Sequence, residues 1–112
     1  DNLCVIVDHN GLQIDGSNDE VMSLGDIQAK FKAFGYDVID VADGNDMRQV
    51  LDALHAPACP GKPCLIHLHT LKGKGVSFME NQASWHGSAP NDEQYAVAMA
   101  ELKQQLSDLE GM

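Results

Sequence analysis

The stretch LCVIVDHNGLQIDG, Leu3 to Gly16, joins an apolar run to a polar segment. Residues 3–7 are apolar without alternation, which is typical of a strand buried on both faces of a parallel sheet. The segment from Val7 to Gly16 consists mainly of polar residues and glycine, which contribute little to a hydrophobic core. A chain that leaves a buried strand in this way forms either a plain turn or a site.

Two more strand-like runs, Asp37–Asp43 and Cys64–Thr70, each follow a segment with helical spacing. The first helix is expected to start at Asp26 as N-cap and to end at Gly35, and the second to start at Asn45 or Asp46. A third helix is expected near the end of the chain. The apolar stripes are Ile27, Phe31 and Phe34; Met47, Val50, Leu51 and Leu54; and Tyr95, Met99, Leu102, Leu106 and Leu109.

This order of elements predicts an α/β fold with three mainly parallel strands and about three helices. The segments 16–25 (GSNDEVMSLG) and 56–63 (APACPGKP) are predicted loops, and residues 72–92 form a long polar connection of a kind that is often functional. Ligands of such sheets bind beyond the carboxyl ends of the strands. The residues expected there are Asn10, His69 or Thr70, Lys72, Lys74 and His86.

Composition and charge narrow the classes of partner. The chain has 112 residues and a formal net charge of −10, which argues against nucleic-acid and anionic-membrane partners. Its apolar runs are too short for a membrane span. The cysteines Cys4, Cys59 and Cys64 are odd in number, so a reducing, cytoplasmic setting is expected rather than a disulfide framework. Cys59 and Cys64 match no common zinc spacing.

Two polar residues allow both a structural and a functional interpretation. Asn10, in an Asn-Gly dipeptide, is typical of a turn, yet its amide oxygen and the carbonyl of Leu12 are also suitable ligands for Mg²⁺ or Ca²⁺ beside a phosphate. His86 is either a surface residue or a group for proton transfer or phosphate binding. The segment Gly73–Gly75 is not a P-loop and by itself is more typical of a flexible loop.

The other histidines give a weaker signal. His67 and His69 alternate along one predicted strand and therefore point the same way, which would suit a metal ion. A third or fourth ligand is not close to them in the sequence. His9 and His55 carry no signal, so the pattern gives little support for a metal site at these histidines.

Three motifs occur together: VDHNGLQIDG (7–16), FGYDVIDVADGND (34–46) and HTLKGKGVSFMENQASWHG (69–87). In combination they resemble transketolase, in the N-terminal section that binds the diphosphate of thiamine diphosphate. The run GVSFMENQASWHGSAP (75–90) is most similar to the short, split transketolases, whose N-terminal section is a separate subunit. The resemblance covers nearly the whole chain.

The resemblance implies a site for thiamine diphosphate and Mg²⁺ (or Ca²⁺). By this resemblance Asn10 and the carbonyl of Leu12 bind the metal, and Asn10 also contacts the diphosphate. Ile14 and Leu71 are apolar neighbours of the thiazolium ring. His86 contacts the diphosphate and the donor sugar and is the expected catalytic residue.

The implied activity is transfer of a two-carbon ketol unit between sugar phosphates, in the cytoplasm and in pentose phosphate metabolism. The implied partners are a pyrimidine-binding subunit or domain and further copies, as a homo-oligomer. The metal-binding G-D-G motif of the family is absent upstream of Asn10. Residues 1–112 are therefore interpreted as the C-terminal part of the diphosphate-binding domain, inactive alone. The alternatives are another thiamine enzyme, such as deoxyxylulose phosphate synthase, and a non-catalytic α/β interaction module.

Overall fold

A parallel sheet organises residues 1–56 and 59–111, the part of the chain that the computed structural model describes. Strands and helices alternate along the chain, as the sequence predicts. The elements are β1 (Cys4–His9), β2 (Leu12–Gln13), β3 (Gly16–Ser17), α1 (Asn18–Val21), α2 (Ile27–Ala33), β4 (Asp37–Val41), α3 (Met47–His55), β5 (Cys64–His69) and α4 (Asp92–Glu110), with a 3₁₀ turn at Ala83–His86.

The last strand along the chain, β5, lies in the middle of the sheet. The order is β1–β5–β4 and both pairings are parallel, so Ile66 lies beside Ile6 on one side and Ile39 on the other. Paired on both edges, β5 carries the most buried residues, among them Leu65 at 0% exposure. The predicted α/β class with three parallel strands is confirmed within the described residues.

Helices cover the two faces of this sheet. Ala53 of α3 packs with Val41 and Ile66 in the buried cluster on one face. Because successive residues of a strand point to opposite faces, His67 points to the other face, where it meets Gln28 of α2. The three helices expected from the apolar stripes are thus present, and Asp46, rather than Asn45, caps α3 through the backbone N–H of Arg48.

The expectation that β1 is buried on both faces is wrong. Its residues alternate between exposed and half-buried, and Ile6 is 53% exposed. The reason is position, since β1 is an outer strand of this sheet and α3 packs against β4 and β5 instead. The strand also continues to His9, two residues beyond the apolar run.

The predicted loop 16–25 contains regular structure. Gly16–Ser17 pairs with Leu12–Gln13 as a short antiparallel hairpin, and α1 follows it directly. The Ser17 hydroxyl accepts from the N–H of Glu20, while the Glu20 carboxylate accepts from the Ser17 N–H, which completes a capping box. This local hydrogen bonding forms a helical turn that the polar composition concealed.

Two further expectations concern residues 56–63 and the membrane. The described part of the predicted loop 56–63 contains a turn, and residues 57 and 58 of it lie outside the described residues. Among the helices of the described residues, none combines the length and apolar character needed to cross a bilayer.

The connection between β5 and α4 is fixed to that helix by three hydrogen bonds, which join two pairs of residues. The Ser77 hydroxyl donates to Glu101 at 2.6 Å, and the Ser77 N–H donates to the same carboxylate at 2.7 Å. Farther along α4, the Gln105 amide donates to the carbonyl of Gly75 at 2.7 Å. The bonds from Ser77 lower the pKa of Glu101 below its ordinary value of 4.5, because they favour the ionised form.

We predict that Ser77→Ala destabilises the folded chain near neutral pH and that this effect fades in acid. A carboxyl whose pKa is lowered on folding contributes stability above its ordinary value, and this contribution is lost as pH falls through the lowered pKa. Urea unfolding of the full-length protein at neutral and acidic pH measures the difference. Ser107→Ala, on the exposed side of the same helix, is the control. An effect of Ser77→Ala that is constant across this range would contradict the assignment.

Candidate functional site

The carboxyl ends of the three parallel strands are joined by a compact set of hydrogen bonds. The N–H of Gly44, after β4, donates to the carbonyl of His69 at 2.7 Å. The Leu71 N–H donates to the Asn45 side chain at 2.7 Å, and the Thr70 hydroxyl donates to Asp8. Gly44 has to be glycine, because a Cβ there would lie 2.7 Å from side-chain atoms of Leu68 and Thr70. The segments that leave the strands are therefore held close together.

A cavity of about 460 Å³ lies beyond this edge. Four of the five residues predicted to bind the cofactor border it, and Lys72, which the sequence also places at this edge, borders it too. The full lining is Asn10, Leu12, Gln13, Ile14, Asp15, Val21, Lys72 and His86. Sequence reasoning missed Gln13 and Asp15 of the β2–β3 hairpin and Val21 of α1, because these short elements give almost no periodic signal.

Asn10 forms a turn, which is the structural one of the two interpretations that the sequence left open. Its side-chain oxygen accepts the N–H of Leu12 at 3.0 Å, so it does organise a turn. Gly11 follows with φ of +73°, and its carbonyl accepts the N–H of Asn18. An amide oxygen has two lone pairs, so that of Asn10 can accept the Leu12 N–H and still bind a cation.

His86 reaches the cavity at the end of the 3₁₀ turn Ala83–His86. The preceding residue, Trp85, anchors that turn: its indole N–H donates to the carbonyl of Phe78 at 3.1 Å, and the two rings lie 5.4 Å apart. His86 itself is exposed. The aromatic pair thus holds the turn in place and leaves the imidazole available to a ligand.

Leu71 lies in a different position from the other predicted residues. It borders a neighbouring cavity of about 610 Å³, which shares Asn10 and Lys72 with the first. Lys74 borders this second cavity, and its ammonium group lies 3.8 Å from Glu80. Lys72 is therefore the lysine common to both cavities.

The histidines of the sheet form a cluster in which His9 joins the pair, His67 and His69, that the sequence places on one face. The Nδ1 of His9 lies 2.9 Å from the Nε2 of His67, and the rings of His67 and His69 lie 4.3 Å apart. The view that His9 carries no signal is wrong, because parallel pairing brings it beside residues far away in the sequence. Burial lowers the pKa of His67, and positive charge on His69 or His9 would lower it further, which favours a neutral ring.

Residues 1–107 match the family described as "Transketolase, thiamine diphosphate binding domain". The chain belongs to this family. It is 41% identical over 111 residues to a protein of Phocaeicola vulgatus named as one subunit of an apulose-4-phosphate transketolase, covering 98% of this chain and 39% of that relative. A 1-deoxy-D-xylulose-5-phosphate synthase of Aliarcobacter butzleri is 39% identical over 61 residues, which is 54% of this chain and 10% of that protein.

The crystal structure of transketolase from Campylobacter jejuni superposes on the chain with a TM-score of 0.80. The two are 27% identical, and the match covers 89% of this chain and 16% of the crystallised one. The resemblance to transketolase that the motifs predict is therefore confirmed. The chain spans about two fifths of the length of the first relative and a smaller share of the other two.

The cavity of this transketolase domain has some of the metal ligands and hydrogen-bond donors that a metal–diphosphate group requires. Asn10 and the carbonyl of Leu12 offer oxygen atoms, which Mg²⁺ and Ca²⁺ prefer. Lys72 and His86 can donate to phosphate oxygens. Asn10 already organises a turn, so its oxygen is oriented in advance. These residues fit one side of the group, and further ligands of the cation would have to come from outside this set.

We predict that Gly73→Ala displaces the segment that carries Lys72. Gly73 has φ of +73°, and a Cβ there would lie 2.5 Å from the carbonyl oxygen of Met79. A Cβ atom is essentially never found so close to another non-bonded heavy atom. The expected cost in unfolding free energy exceeds the ~1–2 kcal/mol of a left-handed residue alone. Urea unfolding of the full-length protein measures it.

Gly35→Ala is the matched control, because Gly35 also has positive φ (+86°) but nothing lies within 4 Å of its added Cβ. The difference between the two variants isolates the contact with Met79. Equal costs would show that this close approach has no energetic weight.

Proposed function

We propose that this chain provides the diphosphate-binding side of a transketolase active site, in an enzyme that transfers a two-carbon ketol unit from a ketose phosphate to an aldose phosphate. The observation that carries the proposal is convergence: Asn10, Leu12, Lys72 and His86 border one cavity in a member of this family. They come from separate segments of the chain, after β1, after β5 and from the 3₁₀ turn.

Each residue of the cavity has a chemical role in this proposal. Asn10 and the Leu12 carbonyl would hold Mg²⁺ (or Ca²⁺), and Lys72 would neutralise charge on the diphosphate. Ile14 would provide apolar contact for the cofactor's ring, with Leu71 nearby in the adjoining cavity. When bound, thiamine diphosphate supplies the reactive carbon centre that accepts the ketol unit, and the protein supplies position and charge.

His86 would act on the substrate side of the site. It is exposed at the cavity, and Trp85 fixes the turn on which it lies. An imidazole at this place can donate a hydrogen bond to a substrate oxygen that gains negative charge, or carry a proton to or from it. This role depends on a fixed backbone, which the hydrogen bond from the Trp85 indole to the carbonyl of Phe78 provides.

The chain is proposed to work with a pyrimidine-binding subunit or domain, and in a homo-oligomer. Two facts support a larger assembly: the Phocaeicola vulgatus relative is named as one subunit of its enzyme, and α4 leaves large apolar side chains exposed, among them Tyr95 at 57% and Leu106 at 56%. The cation needs more ligands than Asn10 and the Leu12 carbonyl supply. We therefore expect no ketol transfer by residues 1–112 alone. The cytoplasmic location and the pentose phosphate role stay predictions.

Two alternatives have less support. The deoxyxylulose phosphate synthase match covers 54% of this chain, against 98% for the apulose-4-phosphate transketolase relative. A non-catalytic module would have no need of a lysine, a histidine and an oriented asparagine around one cavity. An assay of both ketol transfer and deoxyxylulose phosphate formation by the full-length protein with its partner distinguishes the three.

We predict that Asn10→Ala weakens binding of thiamine diphosphate in the presence of Mg²⁺ by about tenfold or more, because even outer partners of a metal contribute about 10–100-fold. His86→Ala is expected to lower kcat by about 10²-fold or more, the usual range for a proton-transfer group. Calorimetry and steady-state kinetics on the full-length protein with its partner give both quantities.

His55→Ala is the matched control for His86→Ala, since His55 lies exposed at the end of α3. We expect it to leave cofactor affinity and kcat unchanged. If Asn10→Ala bound the cofactor as tightly as the His55→Ala variant does, the proposed metal–diphosphate site would be wrong.

A further inference from the structure

Three imidazole rings meet on the α2 face of the sheet, next to its carboxyl end. His9 and His69 are direct partners in the β1–β5 register, and His67 precedes His69 by two residues on the same face. One ring nitrogen from each lies within 4.8 Å of the others. The closest pair, His9 Nδ1 and His67 Nε2, is 2.9 Å apart. Such a grouping of nitrogen atoms is unusual unless they share a proton or a cation.

Two polar side chains from other elements support this histidine cluster. The carboxylate of Asp40, on β4, lies 2.8 Å from Nε2 of His69 and 3.6 Å from Nδ1 of His67. The Gln28 amide, on α2, lies 3.3 Å from the same Nδ1. A carboxylate in this position is a usual outer partner that fixes the ring of a metal-binding histidine, and the Gln28 amide adds a further polar contact to His67. The cluster thus has both an inner set of nitrogen atoms and an outer set of orienting groups.

The histidine cluster extends from the interior of the protein to its surface. His67 is only 4% exposed, whereas the side chains of His69 and Asp40 are 43% and 50% exposed. A cation can therefore enter from the His69 side and reach a fixed, buried nitrogen of His67. The oxygen donors of the Asn10 cavity suit Mg²⁺, whereas imidazole nitrogens suit Zn²⁺ and its neighbours in the transition series.

We propose that His9, His67 and His69 bind one divalent transition-metal ion such as Zn²⁺, with Asp40 as the outer partner. In a tetrahedral zinc site with Zn–N bonds of about 2.0–2.1 Å, the ligand atoms lie roughly 3.3 Å apart. The separations in the cluster, from 2.9 Å to at most 4.8 Å, bracket that value. The fourth position would hold a water molecule. The ion would link β1 to β5 directly beside Asn10.

Zinc titration of the full-length protein, after removal of metals with a chelator, tests this proposal. We expect one Zn²⁺ per chain by calorimetry, a rise in Tm with Zn²⁺, and no competition from excess Mg²⁺. Bound Co²⁺ should give the absorption of a tetrahedral nitrogen site without a thiolate band, which excludes the cysteines as ligands. Absence of stoichiometric Zn²⁺ binding, or a thiolate band, overturns the assignment.

Substitutions locate the ion. His69→Gln and His9→Gln should weaken Zn²⁺ binding by more than the about 10–100-fold expected for Asp40→Asn, because they remove a ligand and not an outer partner. His55→Gln, a histidine outside the cluster, should bind Zn²⁺ like the unmodified protein. His69 is exposed, so its variant is expected to fold, and circular dichroism verifies this. Equal affinity of His69→Gln and His55→Gln overturns the proposal.

Discussion

Pairing of β5 with a strand on each side is the constraint on which the rest of the structure depends. Leu65, Ile66 and His67 are buried because β1 and β4 flank this strand and helices cover it. Parallel pairing also gives all three strands the same direction, so their carboxyl ends share one edge. The polar segments after β1, β4 and β5 meet there, and the candidate site exists because of that direction.

The cavity is formed by loops that the rest of the fold holds in place. Ser77 is bound to α4 through Glu101, and Trp85 is bound to the carbonyl of Phe78. Before both of them in the sequence, Gly73 allows the chain to pass close to the backbone of Met79. These contacts lie in a stretch without strands, yet they determine where Lys72 and His86 stand. A binding site on loops needs such supports, because positions in a loop are otherwise poorly defined.

The sequence predicted the features that local patterns encode. Apolar stripes located α2, α3 and α4, and the motifs around Asn10 and His86 identified the family and the edge of the sheet. Pairing between distant segments is not encoded in this way. His9 therefore appeared uninformative until β1 was placed beside β5. The burial of β1 was overestimated for the same reason, because an apolar run does not reveal whether a strand is central or outer.

The register of β1 has a consequence for the order in which the protein folds during synthesis. Cys4 pairs with Cys64, so β1 leaves the ribosome well before β5, and the edge of β1 that pairs with β5 stays open until that strand has followed it. Non-local parallel pairing of this kind is slow, and an apolar strand without a partner is prone to aggregate. Until β5 has been synthesised, this edge of β1 is therefore a surface that molecular chaperones would need to shield.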